Sequence, residues 1–206
     1  LDMDPEDFEL TAAETAMMQQ LSTLFEDVVV VLNVPSMFGT SWSLEGQVEG
    51  IDIEGLLTIY MGGEMGAYGL CDILLGQVNP SGKLPLTFYA DDSQLVDFED
   101  YSMKGRTYRY FDGVPLYPFG HGLSYTTFKF GKAKIVNSVD GGNSLVVNVR
   151  NTGKRDGEDV VQLYISRADD PDGPIKTLRG FKRVALKAGE QKQVSIPIDE
   201  ETFLWW

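Results

Sequence analysis

The chain is poor in the residues that most metal and redox sites are built from. A single cysteine, Cys71, in 206 residues excludes an intrachain disulfide framework and an all-cysteine metal site. A single histidine, His121, leaves no second imidazole for a two-histidine metal site. Basic residues are scarce as well. Against 31 Asp and Glu stand 17 Lys and Arg, and the net charge of −14 argues against nucleic acid or an anionic membrane as partner. The longest apolar run, residues 28–32, is strand-sized, far below the roughly 20 residues of a membrane span. What is present is a 43% apolar, 23% charged composition, enough to bury the core of one medium or two small domains. Leu1 is not an initiator Met, and the chain stops on Trp205 and Trp206, large apolar residues that need a neighbour. It is therefore read as a piece of a longer protein, and its compartment is left open.

Charge divides the chain. Residues 1–127 carry 4 Lys and Arg against 20 Asp and Glu, whereas residues 128–206 carry 13 against 11. The expected domains are accordingly 1–127, with mixed helix and strand signals, and 128–206, with strands and turns only. In the first, Thr11-Ala-Ala-Glu14 has the spacing of a capping box and opens an amphipathic helix over about residues 11–25. Val28-Val-Val-Val-Leu-Asn-Val34 suits a strand buried on both faces of a parallel sheet, and residues 56–61 read the same way. A helix over about 64–75 ends at Gly76, and Leu84-Pro-Leu-Thr-Phe88 reads as a short edge strand. This order is the back half of an α/β layered sandwich. In the second domain Leu145, Val147 and Val149 alternate with polar neighbours. So do Val161, Leu163 and Ile165, and again Val194, Ile196 and Ile198. Turn clusters between them complete the pattern of a small immunoglobulin-like β-sandwich, with its last strand expected to be missing.

Several motifs that could carry chemistry have a plainer reading. Gly76-Gln-Val-Asn-Pro-Ser-Gly82-Lys83-Leu84 approaches a phosphate loop. It has one residue too many between the glycines and Leu where Ser or Thr must reach Mg²⁺, and a helix-to-strand turn explains it better. Asp2, Asp4, Glu6 and Asp7 resemble the start of a calcium loop but lack its glycine and its final Glu, so they read as an acidic lead-in to a helix. His121 could act as a general base, yet no Gly-x-Ser-x-Gly elbow accompanies it, and the glycines on either side point to a tight backbone path. Glu64, placed at a helix N-terminus, suits an ionised cap more than a general acid. Arg106-Thr-Tyr-Arg-Tyr-Phe111 is expected as a strand with Tyr108 and Tyr110 on one face, able to line a sugar pocket or to fill a seam between domains.

Taken together, several stretches resemble glycoside hydrolase family 3, the β-glucosidase and β-xylosidase family. The specific pair is Cys71-Asp-Ile-Leu-Leu-Gly-Gln-Val-Asn-Pro-Ser-Gly-Lys-Leu-Pro-Leu-Thr-Phe88 followed by Pro115-Leu-Tyr-Pro-Phe-Gly-His-Gly-Leu-Ser-Tyr125. Thr40-Ser-Trp42 and Gly105-Arg-Thr-Tyr-Arg-Tyr-Phe111 support it. Asn151-Thr-Gly153, Gly157-Glu-Asp-Val-Val-Gln-Leu-Tyr164, Leu178-Arg-Gly-Phe-Lys-Arg-Val184 and Ala188-Gly-Glu190 look like the family's fibronectin type III domain. The loop Met61-Gly-Gly-Glu-Met-Gly66 departs from the family's usual Gln-Glu-Gly-Gly.

The resemblance implies the C-terminal portion of a retaining, exo-acting β-glycosidase that acts at the non-reducing end of β-linked oligosaccharides. A (β/α)₈ barrel outside this chain would carry the nucleophilic Asp. The acid/base Glu is expected just before Leu1 or, at the extreme, within the acidic residues 2–6, and no catalytic, cofactor-binding or metal-binding residue is assigned here. No cofactor is needed, and the fragment alone is expected to be inactive. The alternative is a barrel-free accessory module that binds carbohydrate or protein without hydrolysis.

Overall fold

The computed structural model describes residues 9–35, 38–97, 99–137 and 142–204. The acidic motif at Asp2, Asp4, Glu6 and Asp7 and the terminal Trp205 and Trp206 lie outside them. The chain forms two compact units, Leu1–Asp72 with Leu86–Phe119 and Ile73–Pro85 with Gly120–Trp206.

In the first unit helix α1 spans Ala12–Leu24. Its N-terminus is the capping box read from the sequence. Thr11 Oγ1 accepts the Glu14 N–H at 3.3 Å, and Glu14 Oε2 accepts the Thr11 N–H at 2.8 Å. Strand β1 (Val29–Leu32) pairs in parallel with β2 (Gly55–Thr58), from Val29 opposite Gly55 to Leu32 opposite Thr58. Met18 of α1, Val28, Trp42 and Ile51 form the buried core, and Val30, Leu32 and Leu56 pack against it. The expectation that β1 is buried on both faces is corrected. Alternate residues 28, 30 and 32 face this core, while Val29 on the other face is 46% exposed, because among the described residues only one layer covers the sheet. Helix α2 runs over Gly66–Leu74, shorter than the reading of 64–75, and Gly76 at φ +68° ends it.

Two local readings change. Residues 84–88 form no strand. Pro85 has no N–H to give, and instead of a strand the segment makes backbone hydrogen bonds at Leu84 and an antiparallel bridge between Phe88 and Tyr117. Residues Thr107–Tyr110 form one helical turn, α3, in place of the expected strand.

In the second unit β5 (Asn143–Asn151) is central. It pairs antiparallel with β8 (Gln191–Ile198) along one edge, and with β3 (Phe128–Phe130) and β4 (Lys134–Asn137) along the other. Strands β6 (Gly157–Ile165) and β7 (Thr177–Leu186) form the facing hairpin. The alternation read from the sequence is the one observed. Val147 and Val149 of β5, Val161 and Leu163 of β6, Val184 and Leu186 of β7, and Val194, Ile196 and Ile198 of β8 make one core between the sheets. Val149 is 0% and Leu186 2% exposed, so the interior is closed to water at its centre.

Candidate functional site

The two segments that carry the most specific sequence pattern, 79–85 and 120–125, meet in the second unit. Leu84 donates its N–H to the His121 carbonyl at 2.7 Å, and Gly120 donates to the Leu84 carbonyl at 2.8 Å. Asn79 Oδ1 accepts from Ser124 Oγ and from the Tyr125 N–H, each at 2.9 Å, and Asn79 Nδ2 donates to the Asp156 carbonyl at 3.1 Å. Lys83 Nζ lies 2.8 Å from Asp159 Oδ1 on β6 and donates to the Gly122 carbonyl at 2.9 Å. This closeness requires glycine. A Cβ on Gly122 would lie 2.1 Å from the Gly82 carbonyl oxygen, and one on Gly120, at φ +83°, 2.3 Å from Gln162 Oε1.

This geometry is a brace. The Lys83 ammonium, which a phosphate loop would aim at a ligand, is already held by a carboxylate and a carbonyl. Gly76 to Leu84 therefore acts as a turn and a tie. His121 takes part through its backbone carbonyl. Burial, and then the nearby Lys83 charge, push its imidazole below the usual histidine pKa, so it is neutral at neutral pH.

The aromatic stretch in the first unit is rearranged by its helical turn. Thr107 sits at φ +54°, a left-handed conformation that is costly for a β-branched residue. Its N–H is taken by the Tyr89 hydroxyl at 3.0 Å. Tyr89 in turn meets Phe111 edge-on at 4.9 Å. Tyr108 and Tyr110 do not share a face: Tyr108 stacks on Phe119 at 4.1 Å, while Tyr110 lies under the Arg109 guanidinium at 5.5 Å. Arg106 pins the preceding loop, donating to the carbonyls of Ser102 at 3.2 Å, Asp97 at 2.9 Å and Asp100.

Glu64 is exposed in the turn before α2 and not in the helix itself. The sequence reading passed over Tyr60, just beyond β2. It stands at φ +46° with its hydroxyl buried and no hydrogen-bond partner among the described residues, and burial raises its pKa. Nothing in the sequence distinguishes it from other tyrosines. Among the described residues no group of three or more His, Cys, Asp and Glu could hold a metal ion, and no helix is long and apolar enough to cross a membrane.

Comparison with known proteins fits this division of roles. Residues 2–125 match the glycosyl hydrolase family 3 C-terminal domain and residues 159–206 a fibronectin type III-like domain. A xylan 1,4-β-xylosidase of Xylanibacter ruminicola is 40% identical over 98% of this chain and 23% of its own length. A periplasmic β-glucosidase of Salmonella typhimurium is 38% identical over 74% of this chain and 22% of its own. Among solved structures, the β-glucosidase DesR of Streptomyces venezuelae superposes with a TM-score of 0.80 at 31% identity, over 97% of this chain and 27% of that one. β-Glucosidase 3B of Thermotoga neapolitana gives a TM-score of 0.81 at 30% identity over 96% of this chain and 30% of that one. The chain thus spans about a quarter of the length of the relatives it matches. With its α/β layer unit and its β-sandwich, the chain belongs to glycosyl hydrolase family 3, as that family's C-terminal domain followed by a fibronectin type III-like domain.

Proposed function

We propose that this chain is the C-terminal portion of a retaining, exo-acting β-glycosidase that removes single glucose or xylose units from the non-reducing end of β-linked oligosaccharides. The carrying observation is the pair of family matches in one order along the chain, shared with relatives named as β-xylosidases and β-glucosidases. Retaining hydrolysis needs two carboxyl groups about 5–5.5 Å apart across the scissile bond. In this reading the nucleophilic Asp belongs to a (β/α)₈ barrel outside the chain and the acid/base Glu lies just ahead of Leu1. A domain interface is a common place for such a pocket. In this reading the chain contributes one wall of the pocket and its outer brace. The proposed modules are 1–127 and 128–206, a division supported by the charge contrast and by the bounds of the two family matches, with the last strand of the sandwich lying beyond residue 206.

The test compares two proteins on aryl β-xyloside and aryl β-glucoside. The full-length protein is expected to turn over at least one of them, and the 206-residue chain neither. Turnover by the isolated chain at the full-length rate would overturn the placement of both carboxylates. A full-length protein inactive on both but retaining carbohydrate would favour an accessory binding module.

A further inference from the structure

The sheet of β3, β4, β5 and β8 carries charge of one sign only. Its four strands contain no Asp or Glu, in a chain where acids outnumber bases 31 to 17. Each strand holds a single cation: Lys129, Lys134, Arg150 and Lys192. The register sorts them by face. Val147 and Val149 of β5 point into the core, so Val146, Asn148 and Arg150 point outward. Residues directly opposite each other share a face. Lys129 therefore stands beside Arg150, and Lys134 beside Val146, on the outer side. Lys192 lies opposite the inward Val149 and turns back to the Glu190 carboxylate, at 3.3 Å, and to the Ala185 carbonyl, at 2.7 Å. The other three cations are exposed and stand in no ion pair among the described residues. Two like charges directly opposite across a strand pair repel, so an anion laid on this face relieves a cost that the fold otherwise carries.

The ground between the cations is polar. Gln191 lies opposite Arg150 and Gln193 opposite Asn148, and all three of Asn148, Gln191 and Gln193 are exposed amides on the same outer face. Four residues of extended strand part Arg150 from Val146, so the Lys129–Arg150 pair and Lys134 are about 13 Å apart along the sheet. We infer that this outer face binds a carboxylate-bearing polysaccharide, a β-linked chain with uronic acid substituents. A small anion is held in a concave site, whereas an open sheet face offers contacts along a line, as an extended polymer needs. The cations meet carboxylates spaced along that polymer, and the amides between them meet its hydroxyl groups. A net charge of −14 on the chain opposes a polyanion as densely charged as nucleic acid and leaves room for a sparsely charged one. The polymer class rests on the reading of the chain as part of a glycosidase; the sign of the charge does not.

The test titrates the full-length protein calorimetrically with soluble glucuronoxylan and with the same xylan after its carboxyl groups are reduced to alcohols. Binding to the first is expected to be about tenfold tighter than to the second, and to weaken as salt is raised. Lys129→Gln combined with Arg150→Gln is expected to lower the affinity for glucuronoxylan about tenfold and to leave the affinity for reduced xylan unchanged. The urea midpoint of that variant should be no lower than the parent's, since a repulsive pair has been removed. Lys134→Gln, on a different strand, should give a smaller loss of the same kind. Equal affinity for the two xylans, no binding to either, or full affinity in the double variant overturns the inference. Polyglutamate bound as tightly as glucuronoxylan overturns it in favour of an acidic protein partner. Turnover of aryl β-xyloside and aryl β-glucoside is scored separately and is expected to be the same in the variants. Turnover without charge-dependent xylan binding sinks the surface and keeps the glycosidase reading, whereas such binding without turnover does the reverse.

Discussion

At Lys83 the ammonium is saturated by Asp159 and the Gly122 carbonyl, with the two side chains only 20% and 10% exposed. An ion pair so far out of water contributes little net stability, but losing one partner strands the other. Asp159→Asn is therefore expected to destabilise the second unit by about 2–4 kcal/mol. Lys83→Met combined with Asp159→Leu should recover most of that loss. Urea midpoints read both, and an equal loss in the double variant would mean that the charges themselves are not the cause. Asn151 makes the same point for a neutral group. It is 0% exposed, and its amide donates to the carbonyls of Arg155 and Leu186 at 2.7 and 3.2 Å, while its Oδ1 accepts from Thr126 Oγ1 at 2.7 Å and from the Gly153 N–H at 3.0 Å. From the sequence Asn151-Thr-Gly153 is a turn. The same residue types serve an exposed turn and a buried anchor, so only the fold tells them apart.

Among the elements, α1 is the one whose start is written most openly in the sequence. Its Thr11 and Glu14 bonds are reciprocal, and they hold the Glu14 carboxyl below its ordinary pKa. Thr11→Ala is expected to cost about 1 kcal/mol. The loss should show as faster hydrogen exchange of the first-turn amides of α1 while those of β5 stay unchanged, and equal acceleration in both would mean that the cap acts on more than its helix. The sandwich strands were legible for a related reason: one face is dry and the other wet, so polarity changes at every residue. Residues 106–111 were not. Alternating aromatics over six positions fit a strand and a single helical turn equally, and the choice is made by one group outside the segment together with bonds inside the turn. The Tyr89 hydroxyl takes the Thr107 N–H, and the Tyr110 and Phe111 N–H groups return to the carbonyls of Arg106 and Thr107 at 3.2 and 2.9 Å. The brace was half legible. Its segments stood out as a signature, but which atoms they join depends on β6, some eighty residues away from Asn79.

For the molecule as a whole, acidity acts in two windows. Burial holds the His121 imidazole below its ordinary pKa in the folded chain, so the unfolded chain takes up a proton first as pH falls. The His121 contribution is flat above about pH 6.5 and declines below it. The carboxylates of Glu14, Asp100, Asp169, Glu190 and Asp199 are held below their ordinary values mainly by local hydrogen bonds, and their contribution is lost only at lower pH, as each is protonated. The urea midpoint is therefore expected to be lower at about pH 5.5 than at about pH 7.5, and His121→Gln should remove that difference. A variant that keeps the slope would exonerate the imidazole.

The path of the chain has a consequence for how such proteins can be recombined. The polypeptide changes unit after Asp72, after Pro85 and after Phe119. A breakpoint at any one position between 73 and 119 divides at least one unit across two genes. A breakpoint after residue 127 hands on the strands without the partner that supplies Asn79 and Lys83. A lineage exchanging its tail domain for a relative's must cut upstream of residue 73, or inherit both pieces of the tie from the same parent.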